Sequence, residues 1–306
     1  MHERVVPIPD VCDVTYVRGA RARTGAPPDL LVEIPHGATR AAHFDALAAR
    51  LGGPFPDDLR AFFFVNTDVG APEVGVRFAE RVVAADASRS AVVVRALVPR
   101  TFVDLNRAID TSLVAAQAAP GMTPGIAPYV RAESDLRLLL ERYAAYRDVV
   151  DAAFAWVCGA GGTGVMLHSY APRSVDVAVD EHIVRSLRDA YRPERVCTWP
   201  LRAEIDLITR DGAGRLLADG ALVAALRARC GDDGIAPVEN EAYFLHEATL
   251  AARFAARHAG RTLCLEMRRD LLVREFTPFA EMEIDAARAD AMAARLADAL
   301  LARWTA

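Results

Sequence analysis

Four short apolar runs in the chain each deliver polar or ionisable residues at or near their ends. They are Leu30-Leu31-Val32-Glu33-Ile34 before Pro35-His36-Gly37, and Phe62-Phe63-Phe64-Val65 before Asn66-Thr67-Asp68. The others are Gly164-Val165-Met166-Leu167 before His168-Ser169-Tyr170, and Thr262-Leu263-Cys264-Leu265 before Glu266-Met267-Arg268. Runs of this length suit strands covered on both faces. In an open α/β sheet, ligands gather outside the carboxyl ends of the strands. The polar ends are therefore expected to converge.

Helical patterns separate these runs. Thr39 can cap a helix over 40–51, which Gly52-Gly53-Pro54 stops. Further helices are expected over 72–85, 131–157, 180–191, 218–229, 241–258 and 285–304, and further strands over 91–94, 195–199 and 203–209. Residues 61–66 read as a strand, and 99–107 as a β-like run that projects Asp104 and Asn106 to one side. Strands alternating with helices predict an α/β fold with a mostly parallel sheet. Residues 1–28 read as an arm or edge strand, and no linker divides the chain, so 1–306 is expected to be one domain. The loop 111–130, with prolines and glycines among small side chains, has the length of a lid or binding rim. The last helix packs on its own domain or on a second subunit, which leaves a homo-oligomer open.

Composition narrows the function classes. The 306 residues are 53% apolar, enough for a large core. The net charge of −5 argues against a nucleic-acid partner. Every basic residue apart from histidine is arginine, so lysine Schiff-base and P-loop chemistry are excluded. Five dispersed cysteines without a C-x-x-C pair read as reduced thiols. With neither a signal-like start nor a membrane-length apolar stretch, a cytoplasmic protein without a membrane partner is expected.

His36 and His168, each at the end of an apolar run, suit a catalytic zinc, which takes three protein ligands and leaves a position for water. Asp68 is the candidate third ligand, with Glu73 in reserve. Glu266, inside an apolar strand, is costly unless it is paired or used. It either pairs with Arg268 or Arg269 or serves as a general base. Arg107 can polarise a carbonyl or, with Asn106, hold a carboxylate. Tyr170, Arg173, Tyr243 and Arg268 are further candidates for substrate contact. Ser169 lacks the G-x-S-x-G elbow of a nucleophile.

Asp104-Leu105-Asn106-Arg107, His168-Ser169-Tyr170 and Glu266-Met267-Arg268, following Pro35-His36-Gly37, resemble the N-formylglutamate amidohydrolase family. More distantly, they resemble the zinc carboxypeptidases. The resemblance spans about residues 30–270. It implies a three-layer α/β/α fold with a mixed, mostly parallel sheet, of the zinc carboxypeptidase and phosphorylase/hydrolase kind. It also implies one Zn²⁺ per chain, or another divalent metal, and hydrolysis of the amide bond of a small N-acyl amino acid such as N-formylglutamate. His36, Asp68 and His168 would be the metal ligands and Glu266 the general base. Arg107 would stabilise the oxyanion and Asn106 would contact substrate, while Arg173 or Arg268 would hold the substrate carboxylate. Two departures stand out. Thr39 replaces the glutamate of the carboxypeptidase H-x-x-E pair, and Glu239-Asn240-Glu241-Ala242-Tyr243 replaces a glycine-rich segment before the last strand. A carboxypeptidase-like peptidase or deacylase of larger substrates, and a non-catalytic ligand-binding relative, are the alternatives these departures keep.

Overall fold

A computed structural model of the chain describes residues 5–109 and 124–305. A seven-stranded sheet runs through it in the order β1-β3-β2-β4-β7-β5-β6. The strands are β1 (Cys12–Arg18), β2 (Leu30–Ile34), β3 (Ser90–Ala96), β4 (Thr163–Tyr170), β5 (Ile205–Ile208), β6 (Val238–Glu239) and β7 (Thr262–Arg268). Strands β3, β2, β4 and β7 are parallel neighbours, and β6 is parallel to β5. The two antiparallel pairs are β1 with β3 and β5 with β7. The expected edge strand is thus β1, within the N-terminal arm.

The helices are α1 (Ala41–Ala48), α2 (Leu59–Asn66), α3 (Ala71–Ala85), α4 (Glu133–Val157), α5 (Ile183–Ala190), α6 (Pro193–Val196), α7 (Gly220–Asp232), α8 (Leu250–Arg257) and α9 (Ala286–Thr305). They cover both faces of the sheet. Leu30, Val32 and Ile34 of β2, Val165 and Leu167 of β4, and Leu263 and Leu265 of β7 pack into a core with Val74 and Phe78 of α3, Leu222 and Leu226 of α7, and Met292 and Leu296 of α9. Leu31, Met166 and Cys264 point the other way, into a core with Phe62 and Phe63 of α2, Tyr143 and Tyr146 of α4, and Phe254 of α8. The result is an α/β/α sandwich. Gly75 has its place in it, because a Cβ there would lie 2.8 Å from Ile34 Cδ1. Among the described residues, no helix is long and apolar enough to cross a membrane.

Four local expectations are corrected. Residues 61–66 form helix α2, not a strand. The unbroken apolar run carries no period, and this short helix is buried on several sides (Leu59, Ala61, Phe62, Phe63 and Phe64), so burial alone could not distinguish the two. Residues 195–199 form the end of α6 and a turn, begun by Pro193 at a first-turn position. Only Leu250–Arg257 of the expected 241–258 helix is helical, starting where Thr249 caps Ala252 N–H at 3.1 Å. Residues 99–107 are successive turns around the buried Asp104 carboxylate, which accepts Asn106 N–H at 2.9 Å. Most of the expected 111–130 loop lies outside the described residues.

Candidate active site and metal centre

Side-chain alternation decides which strand residues meet. With Val165 and Leu167 facing one core, Met166 and His168 face the other. By the same rule Cys264 and Glu266 of β7, Asp206 of β5 and Glu33 of β2 share that face. His168 is paired in register with Glu266, and Glu266 with Asp206. The strands thus set two carboxyl groups and an imidazole side by side near the carboxyl end of β4.

His36 and Asp68 arrive from loops. Asp68 leaves the turn between α2 and α3, where Gly70 takes a left-handed φ of 87°. The turn is tied to the loop after β2 by Asp68 N–H donating to His36 O at 3.3 Å and by the Thr67 hydroxyl donating to Ala38 O at 2.5 Å. Arg269 braces it from behind, donating to Ser169 O at 2.9 Å with its guanidinium 3.6 Å from Asp68 Oδ1. The ligand atoms of His36, Asp68 and His168 all lie within 4.8 Å of one another, and all three residues are buried. Nδ1 of His36 and Nδ1 of His168 face the same Asp68 oxygen, at 3.2 and 2.9 Å. Glu73 stands apart in α3, accepting from Arg40 at 3.0 Å.

These residues fit a divalent metal. Two imidazoles and one carboxylate converge on one point, and the far nitrogen of His36 lies 2.8 Å from Asp104 Oδ1. A carboxylate on the outer nitrogen is what orients a metal-binding histidine. Burial alone would push both aspartates up. The neighbouring histidines instead hold Asp68 below the usual carboxylate range, and Arg100, Arg107 and His36 hold Asp104 well below it. Both carboxylates therefore stay ionised, as metal-site carboxylates must.

Glu266 differs. Burial pushes its carboxyl up, against the pull of His168. Neither expected partner is bound to it. Arg268 donates to Asp270 at 2.9 Å, and Arg269 is spent on the Asp68 turn. Glu266 Oε2 is sealed from solvent without a hydrogen-bond partner, as is His168 Nε2. A buried orphan acceptor of this kind calls for an explanation, and other atoms of Glu266 border a cavity. That cavity holds about 540 Å³, and its lining includes His36, His168, Glu266, Arg100, Asn106 and Arg107.

Asp104 organises the cationic side. Its Oδ2 accepts from Arg100 Nε at 3.0 Å and lies 3.4 Å from Arg107. Asn106 Oδ1 accepts the N–H of Ala251 at 3.0 Å, which fixes the start of α8 against this turn. Tyr243 lines the cavity; Tyr170, Arg173 and Arg268 do not. Tyr170 donates to Ala203 O at 2.7 Å, Arg173 to Trp199 O at 2.6 Å, and Arg268 to Arg202 O at 3.0 Å. Sequence reasoning passed over Arg100, Cys264 and His246, all on the cavity wall, and Asp206 beneath it. Asp206 had a visible signal: like Glu266, it is a lone carboxylate in an apolar strand, Ile205-Asp206-Leu207-Ile208.

Comparisons with known proteins agree with this geometry. A family model described as N-formylglutamate amidohydrolase matches residues 29–273. Among solved structures, the fold is similar to a gene product of Agrobacterium tumefaciens at 19% identity and TM-score 0.55, covering 96% of this chain and 95% of that one. It is also similar to an N-formylglutamate amidohydrolase from Ralstonia eutropha JMP134 at 17% identity and TM-score 0.55, covering 96% and 99%. No curated protein sequence matches the chain. The family model spans the strands, turns and loops that carry every residue of the site, and the chain belongs to the N-formylglutamate amidohydrolase family.

Proposed function

We propose that the chain hydrolyses the amide bond of an N-acyl amino acid, N-formylglutamate or a relative, with a divalent metal, zinc by donor chemistry. The observation that carries this reading is Glu266, with its Oε2 unpartnered, sharing one cavity with His36 and His168 of the His36–Asp68–His168 cluster. The two imidazoles and the carboxylate would hold the metal. When bound, it supplies Lewis acidity and makes water a better nucleophile near neutral pH.

Glu266 performs the proton transfers. Its raised pKa suits a base that must take a proton from the attacking water and then release it. The same carboxyl hands that proton to the departing amine nitrogen, so the products are a carboxylic acid and a free amino acid. Arg100 and Arg107, fixed through Asp104, face the cavity and balance negative charge developing on the carbonyl oxygen. Asn106 holds the turn that aims Arg107.

The test is turnover of a panel of N-formyl and N-acetyl amino acids by metal-loaded protein, with Glu266→Gln alongside. Loss of a positioned general base lowers kcat by about 10²- to 10⁴-fold, with metal content unchanged. Wild-type turnover that survives in Glu266→Gln overturns the assignment.

A further inference from the structure

His246 and Asn106 both line the cavity, and each is held by a backbone N–H at or just before the start of α8. His246 Nδ1 accepts Ala248 N–H at 3.1 Å, and Asn106 Oδ1 accepts Ala251 N–H at 3.0 Å. The segments that carry them are bound to each other. Leu250 N–H donates to Asn106 O at 3.1 Å, Ala108 N–H donates to Ala248 O at 2.8 Å, and Arg107 and Thr249 between them form an antiparallel bridge. The Thr249 hydroxyl donates to His246 O at 2.7 Å and closes the turn below the imidazole.

These bonds decide what each side chain has left to offer. An imidazole nitrogen that accepts an N–H uses its lone pair there, so the proton of the neutral ring sits on the other nitrogen, Nε2. An amide whose oxygen faces an N–H turns its NH₂ the other way. Among the described residues, neither His246 Nε2 nor Asn106 Nδ2 has a hydrogen-bond partner, and neither is sealed from solvent as Glu266 Oε2 is. The cavity thus carries two oriented, uncommitted and uncharged donors.

We infer that His246 is a substrate-binding residue of the site proposed above: its Nε2–H, together with the Asn106 amide, holds the α-carboxylate of the N-acyl amino acid. The inference rests on the amidohydrolase reading and deepens it. The substrate class is an N-acyl amino acid with a free α-carboxylate, in preference to its amide or a chain extended at that end.

Such a substrate brings an acyl carbonyl, an amide nitrogen and a carboxylate. In the proposed reaction the carbonyl oxygen falls to the metal centre and the arginines on Asp104, and the nitrogen to Glu266. The carboxylate accepts only, and it must trade its water shell for donors that nothing else occupies. Arg173 and Arg268, the arginines expected from sequence to meet it, are outside the cavity lining and donate to Trp199 O and Arg202 O. The Thr249 hydroxyl is committed twice, since it also accepts Ala252 N–H at 3.1 Å. His246 and Asn106 supply the N–H groups that remain, and a hydrogen bond to an ionised acceptor is roughly twice as strong as one between neutral groups.

His246→Asn separates the donor from the fold. An asparagine oxygen can still accept the N–H two residues on, so the tie to Ala248 survives, while the shorter side chain places nothing where Nε2 stood. His246→Gln brings an amide N–H back towards that place. The probes are the N-formyl derivatives of glycine, leucine and glutamate, each as the acid and as the α-carboxamide. Steady-state kinetics of the metal-loaded full chain read kcat and KM, or an inhibition constant where a carboxamide is not cleaved. Calorimetric titration with the free amino acids reads binding without turnover. In His246→Asn the KM for the acids should rise by roughly 10- to 100-fold, the effect of losing a hydrogen bond to a charged group, with a smaller change in kcat. The carboxamides should shift much less, amino-acid affinity should fall with the acids, and His246→Gln should recover part of the loss. Equal effects on acids and carboxamides, or an unchanged KM for the acids, overturn the inference and leave the hydrolase reading standing. If Tyr243→Phe then removes the preference for the acids, the carboxylate is held there instead. Failure of the wild type to cleave any of the probes overturns the hydrolase reading and the inference with it.

Discussion

Asp104→Asn is the substitution that tests most about how the site is held. The carboxylate serves, among others, His36 Nε2 at 2.8 Å, Asn106 N–H at 2.9 Å, Arg100 Nε at 3.0 Å and Arg107 at 3.4 Å. An amide of the same shape can keep its oxygen towards His36 and Asn106. Its NH₂ then faces Arg100, a donor against a donor. Removing one partner of a buried ion pair costs about 3–5 kcal/mol. Arg100 and Arg107 keep 20% and 12% of their side-chain surface in water, and that exposure brings the expected loss of folding stability to about 2–4 kcal/mol. His36 loses an anionic partner at its outer nitrogen, and loss of such a partner weakens metal binding by about 10- to 100-fold. Competition with a chromophoric chelator gives the metal affinity, and urea denaturation of the metal-free protein gives the stability. Metal affinity within about twofold of wild type would refute the claim that Asp104 orients His36 for a metal. Unchanged stability would refute the claim that it holds the two arginines.

Two further predictions follow from the framework around the site. Asp206→Ala leaves the N–H groups of Glu241 and Ala242 without an acceptor. It should lower stability by about 2–5 kcal/mol and raise KM more than it lowers kcat; denaturation together with steady-state kinetics checks both, and unchanged KM would mean that Tyr243, Phe244 and Leu245 on the cavity wall do not depend on Asp206 for their placement. Burial pushes the Cys158 thiol up to about 12 and the Cys230 thiol up to about 11, and it raises Cys12 and Cys264 as well, whereas Cys197 is exposed. Mild alkylation near pH 8 followed by peptide mass mapping should therefore label Cys197 in the native chain and all five cysteines after unfolding; fast native labelling of Cys158 would contradict the packing of α4 on β4.

The α/β architecture was legible because β2, β3, β4 and β7 are short apolar runs and α3, α4 and α9 carry clear helical spacing between them. His36 and His168 stood out as single imidazoles following such runs, and the structure brings both to Asp68. What the sequence concealed was mostly long-range. Asp68 was picked out in the chain but assigned to a strand end, because Phe62-Phe63-Phe64 is apolar in succession and a short helix buried on several sides leaves no period. The alanine-rich spacing predicts a helix over 241–258, whereas 240–245 is an irregular segment. Its shape comes from Asp206 and from the backbone of Thr209 and Arg210, some thirty residues earlier in the chain. Arg100 and Asp104 lie four residues apart in a segment read as β-like, and only the turn that gathers them around His36 makes them a unit. Arg173 and Arg268, attractive by residue type, are drawn to backbone carbonyls that no local pattern announces.

The central claim is that His36, Asp68 and His168 form a metal centre. The most direct measurement is the metal content of protein purified without chelator and then equilibrated with zinc, beside the His36→Ala/His168→Ala double variant, with circular dichroism to confirm that both are folded. About one tightly held zinc per chain is expected in the wild type and none in the folded variant. A wild-type chain that takes up no zinc, or a double variant that retains it, would mean that His36, Asp68 and His168 do not form a metal centre.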